Sequence, residues 1–181
     1  CLVSGMALGI DSIVHNAALD AGGSTVAVLG SGLDQPYPRS NQYLFDKIIS
    51  QNGAVISEYP EGTTPYKSNF PARNRIIAGL SLAVIVTEAN AKSGSLITAN
   101  FALNQNRAVM AIPGNITSPR SAGPNNLIKR GALAVTDYAD VLAELGLENP
   151  SMVKHVPKAD SKEEAEIIEL LSVKALSTEQ L

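Results

Sequence analysis

The sequence predicts an α/β domain built on a doubly wound, mostly parallel sheet, and three observations carry that prediction. Short apolar runs rich in Val, Ile and Ala alternate with segments of helical period, the mark of βα units whose strands are covered on both faces. The ends of these segments carry helix punctuation in the form of Asp, Pro and Gly. A length of 181 residues, 45% hydrophobic and 17% charged, buries one full core with room for a small appendage.

Taken in order, the first strand is expected at 2–4. No loop or cap precedes it, so the chain reads as a fragment of something longer. A helix over about 11–21, capped by Asp11 and ended by Gly22, leads to a strand at 25–29. A helix over 41–51 with Gly53 past its end leads to a strand at 54–57. Pro71, with its φ already helical, opens a helix over 71–80, followed by a strand at 82–87. A helix over 95–105 and a strand at 108–112 come next. Pro124 then starts a helix over 124–130 that Gly131 ends. A strand at 132–135 and a helix over 138–145, capped by Asp137, close a domain that spans 1–145. Residues 146–160 have no period and two prolines, the character of a linker. Residues 161–171 form an amphipathic helix, with Ile167, Ile168, Leu170 and Leu171 on one side and glutamates on the other. A second capped segment begins at Ser177. The 161–181 stretch is either the start of a small helix-turn-helix module or a solvated tail.

Several function classes drop out. No apolar run approaches the ~18 residues of a membrane span, and no basic-then-apolar leader opens the chain, so the expected location is the cytoplasm. One cysteine, Cys1, and two histidines, His15 and His155, offer neither a disulfide nor a metal-ligand cluster. His15, beside Val14 and Ala18, reads as a core or surface histidine rather than a catalytic base. The net charge of −3 conceals an asymmetry: residues 62–136 hold eight bases against one acid, Glu88, while the rest of the chain holds six bases against sixteen acids. A stretch of net +7 is the footprint of an anion-binding face.

Five turns at strand ends are the candidates for that face. Ligands of open α/β sheets bind beyond the carboxyl ends of the strands, where glycine lets backbone N–H groups and helix N-termini approach a phosphate. The first turn, Ser4-Gly5-Met6-Ala7-Leu8-Gly9-Ile10-Asp11, is equally a tight βα turn with no ligand. The second, Gly30-Ser31-Gly32-Leu33-Asp34-Gln35-Pro36-Tyr37-Pro38, is a ligand-facing loop of low specificity. The third, 67–81, is the most informative. Arg73, Asn74 and Arg75 are expected in the first turn of its helix, poorly placed for the helix dipole unless a phosphate or carboxylate lies opposite. At least one of these arginines is expected to serve structure by pairing with Glu88. Phe70, among Lys67 and the arginines, is either a base-stacking platform or a staple on the new helix. The fourth turn, Ser93-Gly94-Ser95 with Thr98, offers hydroxyls and bare N–H groups, or plain capping. The fifth is Ile112-Pro113-Gly114 with the acid-free loop 117–126. Together the five are expected to build one groove, long enough for a polymer.

With these residues assembled, the chain resembles the DprA/Smf family of bacterial DNA-processing proteins. The resemblance spans roughly 1–145. It rests on 4–11, the Gly30-Ser-Gly-Leu-Asp34 turn with Tyr37-Pro38, the segment 70–81, Glu88-Ala89 with Ser93-Gly-Ser-Leu-Ile-Thr98, and Ile112-Pro-Gly114. It implies an extended Rossmann fold that binds single-stranded DNA in a basic pocket, forms a homodimer, and helps load a RecA-type recombinase during natural transformation. It further implies a C-terminal winged-helix module, which 161–181 would begin. By position it gives DNA-contact roles to Lys67, Phe70, Arg73, Asn74 and Arg75, with phosphate contacts from Gly5, Gly9, Ser31, Gly32, Ser93, Gly94 and Ser95. The family's first strand, with its glycine-arginine turn, has no counterpart in this chain. The expectation is therefore a binding protein with no catalytic residues, no cofactor and no metal. The rival is a nucleotide-binding enzyme of the related nucleoside-monophosphate phosphoribohydrolase group, which needs a Pro-Gly-Gly-x-Gly-Thr turn and a following glutamate. Here the corresponding turn is Ser93-Gly94-Ser95, with no glutamate in the helix behind it. A dinucleotide-dependent oxidoreductase fits less well still, because the G-x-G-x-x-G spacing and its ribose-binding acid are missing in order.

Overall fold

A computed structural model describes residues 1–147, of which Cys1–Gly146 form one compact unit. The linker and C-terminal module expected beyond it lie, apart from residues 146 and 147, outside the described residues. Strands β1 (Leu2–Ser4), β2 (Thr25–Leu29) and β3 (Gly53–Ser57) form one parallel sheet, and β4 (Ala83–Val86), β5 (Ala108–Ala111) and β6 (Leu133–Ala134) a second. Leu2 stands opposite Thr25, Thr25 opposite Gly53, Ala83 opposite Ala108 and Met110 opposite Leu133. Each sheet winds outward from its first strand, as a doubly wound fold requires. In place of one continuous sheet, however, β1 and β4 share no hydrogen bonds. Helix packing makes the junction: α3 (Asn69–Leu80) lies on β1 and β2 and against α4 (Gly94–Asn104).

The packing follows from side-chain size. Met6, Leu19, Ala27, Leu29, Leu44 and Ile48 make the core of the first half, under α1 (Ile10–Asp20) and α2 (Gln42–Ser50). The second half is alanine-rich, with Ala78, Ala99, Ala102 and Ala111 beside Val86, Val109 and Leu127. Small residues at this contact let α3 and α4 approach closely. Helices α5 (Ala122–Lys129) and α6 (Tyr138–Glu144) complete the unit, the latter with a capping box in which Asp137 and Asp140 bond each other's backbone. No helix among the described residues is long and apolar enough to cross a membrane.

Several boundaries differ from expectation for stated reasons. Gly9, at φ 90°, caps α1, and Asp11 instead lies in its first turn. α3 starts at Asn69 and α5 at Ala122, because proline is tolerated throughout a first turn whose N–H groups lack helical partners. Arg73, Asn74 and Arg75 therefore stand in the second turn of α3. Gly53 opens β3 rather than ending a helix.

His15 belongs to the core. It is fully buried, and its Nδ1 lies 2.6 Å from the Thr25 hydroxyl, which itself donates to Leu2 O at 2.9 Å. Nδ1 must then carry the proton, leaving Nε2 buried without a partner. Burial lowers the His15 pKa from 6.5; Asp11 opposes this and Arg73 adds to it. The unfolded chain takes up a proton near pH 6.5 that the folded imidazole refuses, so stability is full above that pH and declines below it until the folded-state pKa is reached. Urea midpoints measured from pH 8 to pH 5 should fall on the acid side, and His15→Gln should flatten that fall. Equal slopes for the two proteins would refute the assignment.

Candidate nucleic-acid interface

The N-terminal turns of α3 sit at the carboxyl rim of the first sheet and are sewn to it by side chains. Asn69 Nδ2 donates to Gly30 O at 3.0 Å. Arg73 Nη1 donates to Gly5 O at 3.0 Å and also to Val28 O, and its Nε reaches Asn74 Oδ1 at 3.2 Å. Arg73 is only 4% exposed and ion-pairs with no carboxylate among the described residues. Burial lowers its pKa, and the charges of Asp11 and Tyr59 oppose that shift. This guanidinium ties together the ends of β1 and β2. Gly5 exists to admit it, since a Cβ there would come within 2.5 Å of Nη2.

The turn that presents Gly5 is held with equal care. Met6, buried, takes a left-handed φ of 58°, a conformation that costs about 1 kcal/mol or more unless its surroundings enforce it. The enforcement comes from Asn41, whose Nδ2 donates to Met6 O at 2.8 Å and to Ser12 Oγ at 2.9 Å. Asp11 Oδ2 accepts from the N–H groups of Gly5 and Ala7, both at 3.1 Å. A carboxylate of the chain itself thus occupies the amides expected to bind phosphate.

Phe70 lies over this framework. Its ring packs on Gly30, where a Cβ would meet Cδ1 at 3.0 Å. The Arg73 guanidinium stands 5.9 Å from its centroid, and the Tyr37 ring 5.6 Å away at an interplanar angle of 43°. Phe70 is half-buried and Tyr37 is 48% exposed, so the two rings offer aromatic surface to solvent. Lys67, two residues before the helix, is exposed and takes part in no ion pair among the described residues. Phe70 and Lys67 thus present an aromatic ring and a cation to solvent, while the buried Arg73 under the Phe70 ring holds the strand ends together. Arg75 is half-exposed and pairs with Glu58. Asn74 is spent in part on Arg73.

The remaining expected phosphate ligands divide into two sets. Ser31 is buried; its hydroxyl donates to Gln35 O at 2.7 Å, and Gly32 N donates to Thr63 O at 2.9 Å. These groups, with Gly5, hold the loops rather than a ligand. Gly9 is exposed as the cap of α1. On the second sheet, Ser93 accepts from Ser95 N at 3.3 Å to cap α4, while Gly94 and Ser95 remain exposed. That turn is tied to the 112–121 loop through Ala89 N to Arg120 O, at 2.8 Å. Glu88 lies 3.7 Å from Arg120, so its partner is neither Arg73 nor Arg75. Hydrogen bonds thus tie the first and second turns to the third, and the fourth to the fifth. Tyr37, Asn41 and Asn69 are residues to which sequence reasoning gave no site role, although Tyr37 and Asn69 stand within its second and third turns. An aromatic at a glycine-rich strand end, in a chain only 4% aromatic, was the available signal for Tyr37.

A family model described as DNA recombination-mediator protein A matches residues 1–146. DNA processing protein DprA of Streptococcus pneumoniae is 53% identical over 143 residues, which cover 79% of this chain and 50% of that protein. Protein Smf of Escherichia coli K12 is 49% identical over 144 residues, 80% of this chain and 38% of that one. The chain thus spans about two-fifths to one-half of these relatives. The X-ray structure of the S. pneumoniae protein superposes with a TM-score of 0.74, covering 78% of this chain and 50% of that one. A structure of DNA processing protein A from Helicobacter pylori, described for its single-stranded DNA binding mode, superposes with a TM-score of 0.71 at 33% identity, covering 82% and 66%.

Proposed function

We propose, for a chain that belongs to the DNA recombination-mediator protein A family, that it holds single-stranded DNA at the carboxyl rim of its first sheet and makes or breaks no covalent bond. The observation that carries this reading is the partly exposed Phe70 ring with its neighbour Tyr37, braced from below by Arg73 and preceded three residues earlier by the exposed Lys67, which has no ion pair among the described residues. Exposed rings give a base a face to stack on, and a free ammonium answers a phosphate. Bases of a duplex are already stacked on each other, so this arrangement selects single strands. The DNA-processing role named for its relatives, and the single strand bound by the H. pylori protein, support the same reading. In it the whole protein works as a homodimer in the cytoplasm, protects incoming strands, and passes them to a RecA-type recombinase during natural transformation.

Fluorescence anisotropy of a labelled oligothymidine against the full-length protein, repeated as salt rises, tests the proposal. Neutralising roughly 3–5 phosphates gives a log-log slope of about −2 to −4. Lys67→Ala should reduce that slope by about 0.7 and weaken binding evenly across sequences. A duplex that competes as well as the single strand would defeat the stacking mechanism, and absence of binding at low salt would defeat the function.

A further inference from the structure

We infer that Tyr37 is a second stacking ring, so that the rim takes two successive bases, one on Phe70 and one on Tyr37. The inference rests on the single-strand reading above. Two features single out Tyr37. The first is its freedom: its hydroxyl makes no hydrogen bond among the described residues, and the ring is nearly half exposed although it touches Phe70. A ring serving only to pack would gain from deeper burial of its apolar surface.

The second feature is rigidity of the loop that carries it. Besides the Ser31 and Gly32 bonds, Ser57 Oγ donates to Ser31 O at 2.6 Å, Gln35 N to Gly32 O at 3.0 Å, and Gly62 N to Asp34 Oδ1 at 2.9 Å. The Asp34 pKa is lowered chiefly by that last bond, so the carboxylate that clamps the loop stays ionised. Loop 30–38 is thus tied both to the end of β3 and to the segment after it. A platform held in place before binding loses little conformational freedom when a base lands on it. With ring centroids 5.6 Å apart and planes inclined by 43°, bases seated on the two rings cannot remain parallel and in contact with each other. The strand must open between them. That opening excludes a duplex at this step and makes a dinucleotide the unit recognised.

The test uses the full-length protein with oligothymidines carrying 5-iodouracil, which couples on irradiation to an aromatic ring stacked on it, and maps the adducts by mass spectrometry. Adducts on both Tyr37 and Phe70 are expected. Tyr37→Phe should keep affinity and adduct, whereas Tyr37→Ala should weaken binding on the order of tenfold while leaving the thermal midpoint near that of the parent. Adducts on Phe70 alone, with Tyr37→Ala binding within twofold of the parent, would overturn the inference and leave the single-strand function standing. If the parent protein itself binds no oligothymidine, both fall together.

Discussion

Arg73→Met should lower the thermal midpoint by about 4–16 °C, because roughly 2–4 kcal/mol of stability is lost and a domain of this size shifts ~2–4 °C per kcal/mol. The native guanidinium serves Gly5 O and Val28 O, carbonyls at the ends of two adjacent strands. Methionine fills similar space but donates nothing, so two buried acceptors lose their donor. Part of that loss is offset, since a buried charge without a carboxylate partner carries its own desolvation penalty. Arg73→Lys should recover little, because a single ammonium cannot reproduce a fork that spans both carbonyls. The result separates two roles. A direct phosphate ligand would lose affinity with its melting curve intact; a positioning residue loses stability first. Gly5 gives an internal check. Gly5→Ala drives a Cβ into the guanidinium at 2.5 Å, so it should destabilise the parent protein yet be nearly harmless in an Arg73→Ala background. That non-additivity in urea midpoints is what a shared contact requires, and simple additivity would contradict it.

Arg73 also marks where the sequence stops being legible. Strand positions could be read, because runs such as Thr25-Val-Ala-Val-Leu29 and Ala83-Val-Ile-Val86 are short, branched and bounded by turn residues. Helix bodies were equally plain. The start of α3 was not, since proline is compatible with any position of a first turn and cannot say which one it occupies. The site was half legible for a similar reason. Phe70 and Lys67 could be picked out by residue type near a strand end. What their neighbours do depends on partners far along the chain: the acceptors of Arg73 lie 68 and 45 residues away. Glycine turns announced backbone N–H groups but not that Asp11 and Thr63 O would already accept from them. Nor does sequence reveal that β1 and β4 share no ladder, because pairing is a property of two edges and not of either segment.

Phe70→Ala should weaken single-strand affinity by about 1–3 kcal/mol, the worth of one stacked base, and should do so with the salt slope unchanged. The two readouts discriminate between an aromatic contact and a charged one. Removing a cation removes a phosphate neutralised and flattens the slope; removing a ring leaves the counterion release as it was. The substitution has a structural side that must be measured beside it. Phe70 packs on Gly30 and over Arg73, so alanine uncovers part of that contact and also takes away a cation–π attraction of about 0.5–2 kcal/mol. Phe70→Leu keeps most of the apolar cover and loses the π face. If stacking carries the affinity, Leu and Ala should bind almost equally poorly although Leu melts close to the parent. If Phe70 only staples α3 to the rim, Leu should restore both binding and melting. A leucine variant that binds as well as the parent would therefore assign the nucleic-acid contact elsewhere on this rim.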